Sequence, residues 1–128
     1  MKKLLGILVL GLLLSSNVYA ELIKVAGNSE TQFYYYNDSV TKESKYIYVW
    51  ILGDNITEPD GISNRSYKTH AQLDCNLKRL KFHQWIYYTR PMGEGNIDYY
   101  TPDKIEWFSA SPESSWEVLI TRICKTYK

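Results

Sequence analysis

The sequence lacks an excess of charge of either sign: 15 Lys and Arg stand against 14 Asp and Glu. Setting aside Lys2 and Lys3, which belong to the N-terminal segment described below, leaves 13 basic residues against 14 acidic ones, a formal charge of −1. Binders of nucleic acid or of anionic membrane surfaces carry a clear basic excess, so no nucleic-acid partner is expected. Long apolar runs are also scarce. The one present, Leu4 to Leu14, is too short for a bilayer, which needs about 20 apolar residues. Repeats, low-complexity tracts and linkers are missing, which leaves residues 21–128 as one domain.

Histidine is equally rare, with only His70 and His83 in the chain. Together with Asp74 they could hold a metal, but polar positions on an amphipathic strand ordinarily face solvent, so neither metal nor cofactor is expected. No Ser-His-Asp order, HExxH pattern or paired-carboxylate pocket is visible. Gly93-Glu94-Gly95-Asn96 superficially matches a phosphate-cradling loop, yet it has no Lys and no following helix, and it reads as a turn. The chain is not expected to be an enzyme. A small hydrolase would require a concave pocket with convergent ionisable groups.

What is present begins with Lys2 and Lys3, the apolar run, and a small-x-small exit at Val18-Tyr19-Ala20. This is the pattern of a bacterial export signal cleaved after Ala20, with an uncleaved anchor the alternative. No cysteine follows the apolar run, so the mature chain is expected to be free of a lipid or other membrane anchor. Cys75 and Cys124 are the only cysteines. In an oxidising compartment they are expected to form one disulfide rather than stay as two buried thiols. Pairing of this kind also removes Cys75 as a nucleophile beside His83 or His70.

Tyrosine is abundant, 12 residues with 4 Trp, and aromatic and β-branched composition suits pleated surfaces. Leu22 to Ala26, Gln32 to Tyr36 and Lys45 to Leu52 read as strands, the last of them central. It sets Tyr46, Tyr48 and Trp50 on one face and Ile47, Val49 and Ile51 on the other. Gly53 to Arg65 reads as a long break, with turn chemistry at Gly53-Asp54-Asn55 and Glu58-Pro59-Asp60-Gly61. Ser66 to Cys75 alternates, with Tyr67, Thr69, Ala71, Leu73 and Cys75 inward. In Leu80 to Tyr88 the alternation sets Leu80, Phe82, Ile86 and Tyr88 inward and Arg79, Lys81, His83 and Tyr87 outward.

A turn at Leu77-Lys78 would pair Cys75 with Leu80, Leu73 with Phe82 and Gln72 with His83. Leu-Lys is a poor two-residue turn, however, because both positions would need positive φ. Arg90 to Asp103 reads as a loop around a short apolar piece, and Ile105 to Phe108 as a last short strand. The C-terminal stretch is helical: Trp116, Leu119, Ile120, Ile123 and Cys124 fall on one face of a 3.6-residue period. Ser111 suits its N-cap and Pro112 its first turn. The one basic-aromatic cluster, Lys78, Arg79 and Lys81 followed by Trp85, is the candidate ligand-binding set, although single charge runs usually mark a solvated strand end.

Together, Leu73-Asp74-Cys75, the basic strand through Arg79, Tyr87, Gly93 and Gly95, Trp107 with Ser111-Pro112-Glu113-Ser114, Cys124 and Tyr127 resemble the surface-adhesin protein E family of Gram-negative bacteria. The resemblance implies an α+β fold: a small antiparallel β-sheet of about six strands with a C-terminal helix tied to one face by a disulfide. It also implies a non-enzymatic, exported protein that is periplasmic, secreted or displayed on the cell surface. In its best-known members the family binds host extracellular-matrix proteins, often as a dimer. A protein partner is therefore expected, with a homodimer also open. The alternative is a periplasmic structural or inhibitory module that binds an endogenous envelope partner. Family members are lipoproteins, and the missing lipid-acceptor cysteine departs from that pattern.

Overall fold

The computed structural model describes residues 21–56 and 65–127. The expected export signal at 1–20 and the turn at 58–61 lie outside the described residues. Among the described residues, eight strands form one antiparallel sheet: β1 (Leu22–Gly27), β2 (Thr31–Tyr36), β3 (Thr41–Glu43), β4 (Tyr46–Asn55), β5 (Ser66–Asp74), β6 (Arg79–Arg90), β7 (Glu94–Tyr100) and β8 (Phe108–Ser109). Their order is β1-β2-β4-β5-β6-β7, with β3 pairing β4 and β8 pairing β6. The helix α1 (Ser115–Tyr127) follows the last strand. It is the architecture expected, an antiparallel sheet with a C-terminal helix. Among the described residues no helix is long and apolar enough to cross a membrane.

The central strand is β4, as its composition predicts. Ile47, Val49 and Ile51 face α1 and are almost fully buried with Ala71 and Leu73 of β5 and Leu80 of β6. The helix contributes Leu119, Ile120, Ile123 and Cys124 to the same core, so its apolar stripe is buried where the 3.6-residue period places it. Trp116 is wedged between Phe33 and Phe82, with ring centroids 5.0 and 5.1 Å away. At the helix end the Tyr35 and Tyr127 hydroxyls lie 3.2 Å apart. Burial first, and the bond to Tyr127 second, push the Tyr35 phenol up to about 12. Cys75 and Cys124 are joined, with 5.8 Å between their Cα atoms. No free thiol remains.

Four sequence expectations change. Gly53-Asp54-Asn55 is not a turn but the end of β4. Gly53 pairs with Tyr67, and a Cβ there would lie 2.3 Å from Tyr67 Cζ, so the glycine makes room for the Tyr67 ring inside a regular ladder. The β5–β6 turn is longer than two residues. Asp74 pairs with Arg79 and Leu73 with Leu80, which leaves 75–78 as the loop and moves the register by two. Asp74 closes that loop: its Oδ1 accepts the Asn76 and Leu77 N–H groups at 3.1 and 3.2 Å, and its Oδ2 accepts Arg79 Nε at 2.9 Å. An Asx turn of this kind spares Leu77 a positive φ and leaves only Lys78 with one, at 48°.

The third change comes from a bulge at His83. His70 pairs with Gln84 while Ala71 pairs with Phe82, so one extra residue sits on β6 and every later side chain changes face. Trp85 and Tyr87 now share the helix side with Thr69 and Tyr67, and Ile86 and Tyr88 share the open side with Lys68 and Ser66. The alternation had placed Ile86 and Tyr88 inward. Fourth, the chain after β6 is more ordered than the residues suggest, and the helix starts later and runs past Cys124 to Tyr127. Residues 94–100 form a strand, while only Phe108 and Ser109 of the final segment pair with β6. The helix starts at Ser115, because Glu113 takes a φ of 66°. Ser114, not Ser111, caps it by accepting the Glu117 N–H at 3.2 Å.

Candidate functional site

With α1 covering one face, the side chains that alternate to the other face form a surface of aromatic rings and cations. From β4 come Tyr46, Tyr48 and Trp50, and opposite them on β5 stand Asp74, Gln72 and His70. Lys68 follows on β5, and β6 adds Arg79, Lys81 and, beyond the bulge, Ile86 and Tyr88. Strand pairing thus assembles residues from three strands, Tyr46 to Tyr88, into one surface.

At one end Trp107 folds back onto the sheet. Arg79 Cζ lies 4.2 Å and Lys81 Nζ 4.6 Å from its ring centroid, and Tyr46 stands 5.4 Å away. Two cations over one indole is a strong cation–π arrangement. Arg79 is simultaneously held by Asp74. In the middle, Trp50 stacks on His70 at 5.0 Å and 19°, and Tyr48 lies about 6 Å from both imidazoles. His83 Nε2 is 2.9 Å from Gln72 Oε1. Burial lowers the pKa of both histidines, assisted by His83 for His70 and by Lys81 for His83. The middle of the surface is therefore uncharged at neutral pH.

At the other end Lys68 Nζ sits over the rings of Tyr36 and Tyr88, 5.0 and 5.2 Å from their centroids. Burial acts to lower its pKa, but bonding and attraction to the two tyrosines outweigh it and leave the ammonium firmly charged. The Lys68 stem is packed against Gly93, where a Cβ would approach Lys68 Cε to 3.0 Å and where φ is +72°. The turn at Pro91–Gly93 is tied down by Asp54, which accepts the Met92 N–H, and by Ser66, which accepts the Gly93 N–H. A cavity of about 290 Å³ opens here between Tyr36, Trp50, Ile86 and Tyr88, with Asp38 and Lys68 as its charged groups.

Of the four residues singled out in the sequence, Arg79 and Lys81 lie on this surface over Trp107. Lys78 is exposed in the β5–β6 loop. Trp85 is not with them: it stands on the helix side, 4.9 Å from Phe82 and 5.3 Å from Tyr67. Trp107, Lys68, Tyr36 and Trp50 were missed as a group. The alternation of β4 and β5 already sorted Trp50 and Lys68 to one face, but their proximity required the register between the strands. Among the described residues no three His, Cys, Asp or Glu side chains converge in a way that could hold a metal. What the surface offers is flat aromatic area, two cationic ends and one cavity, which suits recognition of another molecule's surface.

Residues 22–125 match the family model described as surface-adhesin protein E. Solved structures of Haemophilus influenzae protein E share the fold. Crystal form II superposes with a TM-score of 0.64 at 17% identity, over 86% of this chain and 91% of that one. Protein E from a non-typeable strain gives 0.61 at 17% identity, over 86% and 79%. The selenomethionine form gives 0.60 at 18%, over 86% and 90%. None of the curated proteins matches the sequence.

Proposed function

The chain belongs to the surface-adhesin protein E family, and from that membership we propose that it is an exported protein that binds a protein partner through the open face of its sheet. Family and fold point to a non-enzymatic, adhesin-like binding protein. The partner class that family membership supports is extracellular-matrix protein, with the molecule displayed at the cell surface or secreted. The observation that carries the choice of face is the division of labour in the sheet. One side is filled by α1, and the other presents Trp107 beneath two cations, the Trp50–His70 stack and the Lys68 cavity. Trp, Tyr and Arg side chains, which this face presents, are enriched among the residues that dominate binding energy in protein interfaces.

The test is surface binding of the purified mature protein to immobilised matrix proteins, comparing Trp50→Ala, Lys68→Ala and Lys81→Ala with Val118→Ala on the exposed side of the helix. A hot-spot loss of about 2 kcal/mol, roughly 30-fold in affinity, is expected for Trp50→Ala. Val118→Ala should bind as the unaltered protein does. Folded open-face variants that all bind normally would refute the choice of face. Capture of an envelope protein from the same cell, without matrix binding, would favour the endogenous-partner reading instead.

A further inference from the structure

The two edges of the sheet are unlike. At one end, β1 carries a bulge at Val25 in the middle of its length, shown by Lys24 pairing with Tyr34 and Ala26 with Phe33. It also has an exposed Lys24, and α1 packs against it. A bulge, a lysine and a covering helix are the means by which proteins blunt an edge. At the other end, all seven residues of β7 are exposed. Its own bulge, at Gly95 with φ +90°, lies beside the turn from β6, so Asn96 to Tyr100 run regularly. Those five residues contain no Lys and no Pro, and they include Ile97, Tyr99 and Tyr100, each more than half exposed. Among the described residues no strand lies beyond β7. A regular edge with exposed apolar side chains, and neither lysine nor proline to guard it, leaves a row of backbone N–H and C=O groups open to pairing.

We propose that β7 is a strand-addition site for an extended segment of a partner protein that alternates apolar and basic side chains. The alternation follows from the faces of β7. Ile97 pairs with Tyr88 and Tyr99 with Ile86, so both stand on the open side. An added strand would place apolar side chains beside them, adjoining the cavity at Lys68. Asp98 pairs with Tyr87 on the helix side, and among the described residues it has no ion pair or side-chain hydrogen bond. A basic side chain between the two apolar ones would lie directly across from it, and opposite charges in that position are favourable. Main-chain pairing supplies affinity and the alternate side chains supply selectivity, as in other strand-addition complexes.

A second copy of the chain is a poorer occupant. Antiparallel β7–β7 pairing about Ile97, Asp98 or Tyr99 sets the two Asp98 carboxylates opposite or diagonal on one face, where like charges repel.

The inference rests on the protein-binding reading but uses the backbone edge beside that face rather than the face itself, so the two can fail separately. The experiment follows amide hydrogen exchange of the purified mature protein with a short synthetic valine–lysine alternating peptide, and with a valine–glutamate peptide of equal length. Slowed exchange confined to 96–100 is expected with the lysine peptide alone. Asp98→Lys should weaken that peptide about fivefold and reverse the preference towards glutamate. Tyr99→Lys, an exposed change that guards β7 as Lys24 guards β1, should abolish the protection and serves if Asp98→Lys does not fold. Equal protection by both peptides, protection by neither, or protection at β1 overturns the proposal. So does protection that grows with protein concentration without peptide, because the occupant is then a second copy. Matrix binding is measured on the same preparations: if it persists while the peptides fail, only the edge proposal falls.

Discussion

Replacing Cys75 and Cys124 together by Ala isolates what the disulfide contributes. The bond joins residues 49 apart, and loop-closure entropy for that span gives about 4 kcal/mol, lost from the unfolded chain. A domain of this size has about 5–15 kcal/mol of net stability, so the loss is between a quarter and most of it. The native helix should nonetheless stay docked. Leu119, Ile120 and Ile123 are fully buried, each worth about 1.5–3 kcal/mol, and Trp116 remains between Phe33 and Phe82. Two signatures distinguish this from loss of a native contact. In urea titrations the midpoint should fall while the slope m rises, because an unlinked unfolded chain exposes more surface. Far-UV circular dichroism in water should be unchanged. A free energy within about 1 kcal/mol of the unaltered protein, with m unchanged, would refute the entropic account. Loss of helical signal in water would refute the claim that packing alone docks α1.

Asp74→Ala removes three hydrogen bonds from the β5–β6 loop and leaves Arg79 without its carboxylate. The expected loss is about 2–4 kcal/mol, read as a lower urea midpoint. Burial acts to raise the Asp74 pKa, but the Arg79 guanidinium and the loop amides outweigh it and hold it below the ordinary 3.8. A depressed native pKa contributes stability above the unfolded value that is lost as pH falls through the folded one. Asp74→Asn should therefore flatten the decline in thermal stability below about pH 4, and an unchanged acid profile would count against the carboxylate's role. Gly53→Val would place a side chain where Tyr67 lies, with a cost of about 1–3 kcal/mol. Burial holds the Tyr67 phenol far above its ordinary pKa, so this variant should also bring its ultraviolet titration down towards the usual range.

The elements were legible where a local period decides them. The faces of β4 and β5 and the buried stripe of α1 follow from alternation and from the 3.6-residue repeat, and they are found as read. Leu77-Lys78 was recognisably a poor turn, but nothing local says that Asp74 would rescue a longer one; that depends on Arg79 reaching back from the next strand. Gly53 carries the usual mark of a turn, and only the Tyr67 ring across the ladder shows it to be a point of close approach. Ser111-Pro112 looked like a helix start for the same reason: the signal is local, and Glu113, which breaks it with φ 66°, bears no mark in the sequence. The disulfide needed only compartment and count.

The bulge at His83 is the feature that matters most for function, and it is invisible to alternation. Without it, β6 beyond Phe82 would point Ile86 and Tyr88 at the helix side and Trp85 and Tyr87 at the open side. With it, Tyr88 stands beside Lys68, where its ring and that of Tyr36 take the ammonium between them. Ile86 and Tyr88 wall the cavity, and Trp85 and Tyr87 pack near Tyr67 instead. The inserted residue also brings His83 to Gln72, so the extra position is itself used on the open face. A bulge that re-aims part of a strand beside a binding surface is a recurrent device. Here it takes Trp85 out of the basic cluster read along the chain and sets Tyr88 beside Lys68, while Arg79 and Lys81, which precede the bulge, stay on the open face over Trp107.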